Sequence, residues 1–275
     1  MNKITTGIIF GVILLSTAAL FFLVHPGSTP PIRDQEGNLI PDGVASLEKV
    51  EIGGIEQWIL VRGTDVSNPI LLWLHGGPGA SQMPVARDLN GDLEKDFVVV
   101  HWDQRGAGKS NPRDFDESTM TFQQFIDDAH ELTQYLKERF NKEKIYLSGH
   151  SWGTMPGIEL AQEYPGDYYA YIGVSQVVDP AAAQQVSHDW LVQQIENSGN
   201  QDDLQQLEAL GSPPYNDHEE YVNYIHLVDA YGGDMDVGMG ELLVVFDQSA
   251  HTPFVGESEK FNQELIRAKD ETYNP

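Results

Sequence analysis

A serine between two glycines, placed after an apolar run and before a helical pattern, is the feature of this sequence that most directly suggests chemistry. Residues 145–147 (Ile-Tyr-Leu) are typical of a strand, residues 149–153 (Gly-His-Ser-Trp-Gly) follow, and helical spacing continues to Glu163. Strand, tight turn and helix in this order predict a turn that raises the Ser151 hydroxyl clear of a sheet. Free N–H groups at the start of the following helix can stabilise an oxyanion. We therefore predict that Ser151 is a nucleophile, with an ordinary glycine-rich turn as the alternative.

A serine hydroxyl is a weak nucleophile unless a base lies within hydrogen-bonding distance. His251 is the candidate base, because it lies downstream of Ser151 and just past the short apolar run 241–246. A surface histidine without a catalytic role is the alternative. The remaining candidates lie in glycine-rich motifs or in a polar helical stretch, and they are His75, His150, His188, His218 and His226.

The composition narrows the class of protein. The 275 residues contain 16 Lys and Arg against 42 Asp and Glu, which gives a formal charge of −26. Because so negative a chain repels phosphate backbones, we predict no nucleic-acid partner. The sequence has no cysteine, so it has no disulfide, no thiol nucleophile and no cysteine-based metal site. We predict neither a metal nor a cofactor.

The first 25 residues predict a membrane anchor. Residues 4–24 carry no charged side chain, and at about 1.5 Å per residue a helix of that length spans roughly 31 Å, enough to cross a bilayer. Lys3 before the apolar run, and Asp34 and Glu36 after it, place the N-terminus in the cytoplasm. We expect a single-pass protein of the cell membrane whose catalytic domain lies outside the cytoplasm. A cleaved signal peptide is the alternative, since small residues occur at 16–19.

Proline and glycine mark residues 26–44 as a linker. Apolar runs then alternate with helical patterns, which predicts a mostly parallel sheet flanked by helices. We assign residues 45–178 to the first part of this α/β core, 179–240 to a helical cap and 241–275 to the C-terminal part of the core. Strands are predicted at 46–52, 55–61 (a hairpin through Gly53-Gly54), 68–74, 97–101, 145–147, 168–177 and 241–246, and helices at 122–140, 152–163, 190–210, 221–228 and 257–269. Thr121, with Gln124 three residues later, has the spacing of a capping box at the start of the helix 122–140.

Three glycine-rich motifs follow one another along the core. They are residues 75–79 (His-Gly-Gly-Pro-Gly), residues 102–110 (Trp-Asp-Gln-Arg-Gly-Ala-Gly-Lys-Ser) and residues 149–153. In this order and spacing they resemble the proline iminopeptidase (prolyl aminopeptidase) family of α/β-hydrolases. The resemblance covers roughly residues 46–177 and resumes around 242–265. It implies an α/β-hydrolase fold with a helical cap, and an activity that releases an N-terminal residue, often proline, from short peptides.

The resemblance also implies roles for individual residues. Ser151 attacks the scissile carbonyl, His251 takes its proton, and the backbone N–H groups of Gly77 and Trp152 form the oxyanion hole. The other motif residues shape the loops, with Asp103 and Arg105 expected to form a structural ion pair or to lock a turn. These structural residues are His75, Gly76, Gly79, Asp103, Arg105, Gly149 and Gly153.

A serine hydrolase also needs a carboxylate that orients the histidine and completes a Ser-His-acid triad. This sequence lacks such a carboxylate in the place where the family has it. In the family it follows a strand after the cap, and the strand–helix–strand unit that contains it takes about 30 residues or more. Only residues 232–240 precede the run 241–246, and they do not have the pattern of a strand. Asp179, just past the predicted strand 168–177, is the tentative acid, because that strand lies beside the nucleophile strand in this fold. A degenerate or incomplete copy with an impaired triad is one alternative. Other candidate acids are Asp234, Asp236 and Asp247.

The sequence therefore predicts a membrane-anchored serine hydrolase of the prolyl aminopeptidase type that acts through an acyl-enzyme, with activity impaired if the acid is missing. Its expected partners are a short peptide or a small amide or ester substrate and, through the N-terminal helix, the membrane. A general esterase or amidase is one alternative function, and a non-catalytic membrane-anchored binding protein is another. The substrate and the oligomeric state stay open.

Overall fold

The structure, a computed structural model, describes residues 27–215 and 217–233. The predicted anchor (1–25) and the predicted C-terminal part of the core (241–275) lie outside these residues. Among the described helices, none has both the length and the apolar character needed to cross a membrane.

Six strands form one mixed sheet in the order β1-β2-β4-β3-β5-β6. β1 and β2 pair antiparallel, as do β2 and β4, whereas β4, β3, β5 and β6 run parallel to one another. The predicted mostly parallel sheet is therefore confirmed for β3, β4, β5 and β6, and the predicted strand 241–246 lies outside the described residues. The strands are β1 (Val44–Ile52), β2 (Ile55–Gly63), β3 (Ile70–Leu74), β4 (Val98–Asp103), β5 (Ile145–His150) and β6 (Tyr168–Val174).

The antiparallel edge begins with the predicted hairpin. Gly53 and Gly54 have φ angles of +56° and +75°, and Ile52 and Ile55 face each other across the turn. A two-residue turn with both φ angles positive matches the twist of the strands that it joins, and glycine adopts it without steric cost.

Six α-helices occur in the described ranges. Helix α2 begins as its Thr-x-x-Gln spacing predicts, with the Thr121 hydroxyl accepting a hydrogen bond from the N–H of Gln124 at 3.2 Å. The predicted helix 190–210 was wrong as a single element: Gly199 ends one helix in the left-handed conformation (φ +72°), and the Asn200 side chain caps the next. The helices are α1 (Ala86–Asn90), α2 (Phe122–Arg139), α3 (Thr154–Glu163), α4 (Pro180–Ser198), α5 (Gln201–Leu210) and α6 (His218–Ala230).

Alternate residues of the central strands build two apolar layers, one on each face of the sheet. One layer includes Leu72, Val100 and Leu147, which pack with Leu132 and Leu136 of α2. The opposite layer contains Leu71, Phe97, Val99 and Tyr146, among others. Helices α4, α5 and α6 have an apolar cluster of their own, centred on Leu191, Ile195, Leu207 and Tyr224.

The described part of the predicted linker is fastened to the core. Arg62 of β2 donates to the Thr29 hydroxyl at 2.5 Å and to the Pro30 carbonyl at 2.7 Å. The same guanidinium pairs with Glu94 at 2.6 Å, and Ile32 is buried. Residues 29–32 are therefore part of the packed domain.

Candidate active site

Ser151 occupies the turn between β5 and α3, in the order that the sequence predicted. β5 ends at His150, a 3₁₀ turn covers Ser151–Gly153, and α3 begins at Thr154. The φ angle of Ser151 is +51°, a conformation that costs a non-glycine residue about 1–3 kcal/mol and persists only where the surrounding structure imposes it. The predicted sharp turn after the strand is therefore confirmed.

Gly149 and Gly153 allow strand and helix to approach each other at this turn. A β-carbon on Gly149 would lie 2.5 Å from the carbonyl oxygen of Gly153. One on Gly153 would lie 2.4 Å from the carbonyl oxygen of Leu74, the last residue of β3. Any side chain at either position would push the turn that carries Ser151 away from its neighbours.

The glycine loop (residues 75–81), which follows β3, lies directly beside the serine. A β-carbon on Gly76 would lie 3.1 Å from the Cβ of Ser151, so only a residue without a side chain fits there comfortably. Gly77 has a φ angle of +117°, and a β-carbon on it would lie 2.7 Å from the backbone nitrogen of Ala80. The fold thus brings the loop that contains the predicted oxyanion donor next to the predicted nucleophile.

His75 fixes the start of the glycine loop to the end of β4. Its Nε2 accepts a hydrogen bond from the N–H of Gln104 at 3.2 Å, and its Nδ1 lies 2.8 Å from the Gly76 carbonyl oxygen. Burial lowers the pKa of His75, which agrees with a neutral ring that carries its proton on Nδ1. His75 therefore has a structural role. Further along the loop, Gly79 has a φ angle of +87°.

Trp152, the other predicted oxyanion donor, packs its indole against the start of α2. Its ring lies edge-on to Phe125, with 4.9 Å between the ring centroids, and 6.5 Å from Phe122. Edge-to-face aromatic contacts of this kind stabilise beyond the area that they bury. They hold the residue that follows Ser151 against a long helix of the core.

Arg105 binds Asp128, a residue of α2 to which no sequence motif pointed. Two guanidinium N–H groups donate to the two carboxylate oxygens, each at 2.8 Å. Gln57 donates to the same carboxylate at 2.7 Å, and Arg105 also donates to the Gly53 carbonyl at 2.9 Å. Arg105 is structural, but its ion-pair partner is Asp128 and not Asp103.

Asp103 connects the loops that follow β3 and β4. Its buried carboxylate accepts hydrogen bonds from the Ser81 hydroxyl and from the N–H of Lys109, the latter at 2.7 Å. This geometry is that of a turn lock, because one carboxylate holds the last residue of the glycine loop and a backbone amide six residues further along its own loop.

Asp179 caps a helix in the structure. Its exposed side chain accepts a hydrogen bond from the N–H of Ala182 at 3.0 Å, at the start of α4. The residue follows β6, and β6 pairs as predicted with β5, the strand that precedes Ser151. The cap explains the presence of a carboxylate at this position, and the catalytic role of Asp179 stays a prediction.

The predicted base His251 and the alternative acids Asp234, Asp236 and Asp247 lie outside the described residues. The site as described consists of the turn that carries Ser151, the glycine loop and the side chains that hold them. Within 27–215 and 217–233, no three His, Cys, Asp or Glu side chains are placed to hold a metal ion.

Comparisons with known proteins point to one family of hydrolases. The family described as serine aminopeptidase, S33, matches residues 68–227, more than half of the chain. The probable aminopeptidase YbaC of Bacillus subtilis is 36% identical over 198 residues, which cover 71% of this chain and 62% of that protein. A proline iminopeptidase of Heyndrickxia coagulans is 36% identical over 88 residues, which cover 31% of this chain and 27% of that protein. This chain therefore spans less than two thirds of the length of either relative.

Among solved structures, the crystal structure of VinJ has a TM-score of 0.50 at 24% identity, covering 66% of this chain and 59% of that chain. This likeness bears on the fold alone. Together with the family match and the strand order, it confirms the predicted α/β-hydrolase fold. The chain belongs to the serine aminopeptidase S33 family of hydrolases.

Proposed function

We propose that the chain is a serine hydrolase that releases an N-terminal residue, often proline, from short peptides through an acyl-enzyme on Ser151. The observation that carries the proposal is the strained turn at Ser151 (φ +51°), with Gly76 of the glycine loop packed against the serine. A hydroxyl presented on such a turn is exposed to substrate at the end of the sheet. Relatives named aminopeptidase and proline iminopeptidase support the choice of an N-terminal peptide bond.

The reaction follows from the roles of four residues. The Ser151 oxygen attacks the scissile carbonyl carbon while His251 takes the hydroxyl proton, and the N–H groups of Gly77 and Trp152 stabilise the negative charge on the carbonyl oxygen. His251 then gives the proton to the leaving amine as the C–N bond breaks, and the acyl group stays on Ser151. A water molecule, deprotonated by His251, releases the acyl group and restores the serine.

Asp179 is the proposed orienting acid. It follows the strand beside β5, and its contact with the Ala182 N–H uses one carboxylate oxygen, Oδ1. Because a carboxylate accepts hydrogen bonds at both oxygens, the same side chain can cap α4 and hold an imidazole N–H.

Covalent labelling with a fluorophosphonate tests the nucleophile. Wild-type protein should react at Ser151, and Ser151→Ala should not react. Ser148→Ala is the matched control, because Ser148 lies on β5, three residues before Ser151, and is fully buried; this variant should label at the wild-type rate. An unlabelled wild-type protein, or labelling that survives Ser151→Ala, contradicts the proposal.

Substrate preference separates an aminopeptidase from a general esterase. Proline p-nitroanilide, its N-acetylated form and a simple p-nitrophenyl ester should be compared on the same preparation. We expect turnover of the free-amine substrate and little of the acetylated one. Turnover of the ester alone would instead assign a general esterase.

We also propose that residues 4–24 anchor the protein in the cell membrane with the remainder outside the cytoplasm. The uncharged run and the flanking charges in the sequence support this placement. Fractionation of cells, followed by protease treatment of intact spheroplasts, tests it. The proposal expects full-length protein in the membrane fraction, and expects protease added outside the spheroplasts to digest it. A carbonate wash should not release the protein from the membrane, and release by carbonate contradicts the proposal.

A further inference from the structure

Gln82 joins the two strands that frame the nucleophile turn. It follows the glycine loop directly, and its Oε1 accepts a hydrogen bond from the indole N–H of Trp73 at 2.6 Å. Its Nε2 lies 3.2 Å from Nδ1 of His150. Trp73 belongs to β3, and His150 is the last residue of β5, immediately before Ser151. One amide therefore bridges two neighbouring parallel strands.

The chemistry of the three side chains fixes where the protons lie. An indole nitrogen only donates, so the carbonyl oxygen of the Gln82 amide must face Trp73. The NH₂ group of Gln82 then faces His150 and requires an acceptor, so Nδ1 of His150 is unprotonated and Nε2 carries the proton. A flipped amide, or a doubly protonated imidazole, would place two donors against each other. The contact is complete only when His150 is neutral.

The surroundings of His150 favour that neutral form. Burial lowers the pKa of His150. His75, whose charge would interact with that of His150, also has a pKa that burial lowers, and its Nε2 accepts the Gln104 N–H. Both histidines that border the glycine loop are thus hydrogen-bonded in ways that suit an uncharged ring.

Gln82 and His75 hold the two ends of the glycine loop. His75 fastens the start of the loop to Gln104, and Gln82, the residue just after the loop, is fastened to His150 at the end of β5. Between these points lies Gly77, the proposed oxyanion donor. Such donors act at about 2.7–3.1 Å from the developing charge, and a displacement of about 1 Å can cost about a hundredfold in rate.

We infer that Gln82 is a positioning residue, which acts through Trp73 and His150 to hold the glycine loop against the turn that carries Ser151. The inference rests on the proposed function, since it assumes that Ser151 reacts and that the loop supplies an oxyanion donor. Within the described residues, the side-chain hydrogen bonds of Gln82 go to Trp73 and His150, so it acts through these neighbours.

The first experiment replaces the amide with an apolar side chain of similar length, Gln82→Met, in the full chain. We expect kcat, and the rate of fluorophosphonate labelling, to fall roughly ten- to a hundredfold, the loss that a misplaced donor produces, while KM changes little. Gln193→Met is the matched control, because Gln193 is exposed on α4, and it should behave as wild type. A labelling rate for Gln82→Met equal to that of wild type overturns the inference and leaves the proposed function standing.

A double-mutant cycle tests whether Gln82 acts through His150. His150→Leu and Gln82→Met remove the same hydrogen bond, so the double variant should label no more slowly than the slower single variant. If the fold-loss of labelling rate in the double variant instead equals the product of the two single losses, the two residues act separately and the inference is wrong. If Gln82→Met does not fold, Trp73→Phe removes the indole N–H together with the pyrrole ring and should still slow labelling; a folded Trp73→Phe variant with unchanged labelling also contradicts the inference.

The His150 tautomer gives a readout that does not depend on activity. Nitrogen NMR of ¹⁵N-histidine-labelled protein should show His150 protonated at Nε2 alone, and Gln82→Met should abolish that single tautomer. A mixture of tautomers in wild-type protein would refute the contact. If the single tautomer is present but Ser151 does not label, the proposed function fails while the hydrogen-bond assignment survives.

Discussion

Arg105 and Asp128 form a bidentate ion pair whose side chains are only 1% and 0% exposed. The pair joins the loop after β4 to helix α2, and α2 also contributes Phe125, which packs on Trp152 beside Ser151. A buried charge pair is tolerated because its members satisfy each other, so removing one charge leaves the other uncompensated.

Asp128→Asn should therefore lower the free energy of unfolding by about 3–5 kcal/mol, the usual effect of breaking a buried pair. Urea denaturation measures it. The control is Glu56→Gln, which breaks the Lys49 pair whose side chains are 45% and 66% exposed and should change the free energy of unfolding by at most about 1 kcal/mol. Equal effects of the two variants would show that burial does not control the strength of the Arg105 pair.

Gly149→Ala should disturb the turn that carries Ser151. The new β-carbon would meet the Gly153 carbonyl oxygen at 2.5 Å, so strand and helix must separate, with a loss of about 1–3 kcal/mol in unfolding free energy. Fluorophosphonate labelling of Ser151 should slow as well. In Gly166→Ala the added carbon has nothing within 4 Å, and both properties should stay at wild-type values. A Gly149→Ala protein with normal stability and labelling would refute the close-approach explanation.

His101 predicts a dependence of stability on pH. Burial, followed by the influence of His75, lowers the pKa of His101 from 6.5 to about 3. Between these values the unfolded chain binds a proton that the folded protein does not. The free energy of unfolding therefore falls as the pH falls, by about 1.4 kcal/mol per pH unit from this group.

Urea denaturation between pH 4 and 6 should show this slope in wild-type protein and a smaller one in His101→Phe. His226→Gln, at an exposed position of α6, should keep the wild-type slope. If His101→Phe and wild type have parallel profiles, proton exclusion by His101 is not the cause.

Asp179→Asn separates catalysis from capping. Asparagine caps helices about as well as aspartate, so the variant should keep its stability. If Asp179 is the orienting acid, turnover should fall by about 10⁴-fold, as when an orienting acid becomes an amide, and about as far as in His251→Ala. Asp217→Asn, which changes the cap of α6 in the same way, is the control and should retain turnover. Unchanged turnover in Asp179→Asn would remove the residue from the mechanism.

Local sequence patterns predicted the elements that position the site. The order of strand, turn and helix around Ser151 was readable because glycine spacing and apolar periodicity are properties of adjacent residues. The same holds for the Gly53-Gly54 hairpin and for the Thr121 cap. The break between α4 and α5 also had a local signal, since Gly199 followed by Asn200 is a typical helix end and a typical helix start.

The side chains that hold the site could not be found in this way. Asp128 lies 23 positions from Arg105, and Gln82 lies 68 positions from His150. On the sequence, Asp128 is one more polar residue of an amphipathic helix, and Gln82 is one more residue of a loop. Only the fold shows that each faces a specific partner.

The hydrogen bonds from Arg62 to Thr29 and Pro30 have a mechanical consequence. Whatever precedes residue 27 leaves the domain from one fixed point beside β2, on a very short tether. At about 3.5 Å per residue, the five steps from residue 24 to residue 29 reach at most about 17 Å. If residues 4–24 lie in a bilayer, as proposed, this tether keeps Thr29 and the adjoining part of β2 within about 17 Å of the lipid surface.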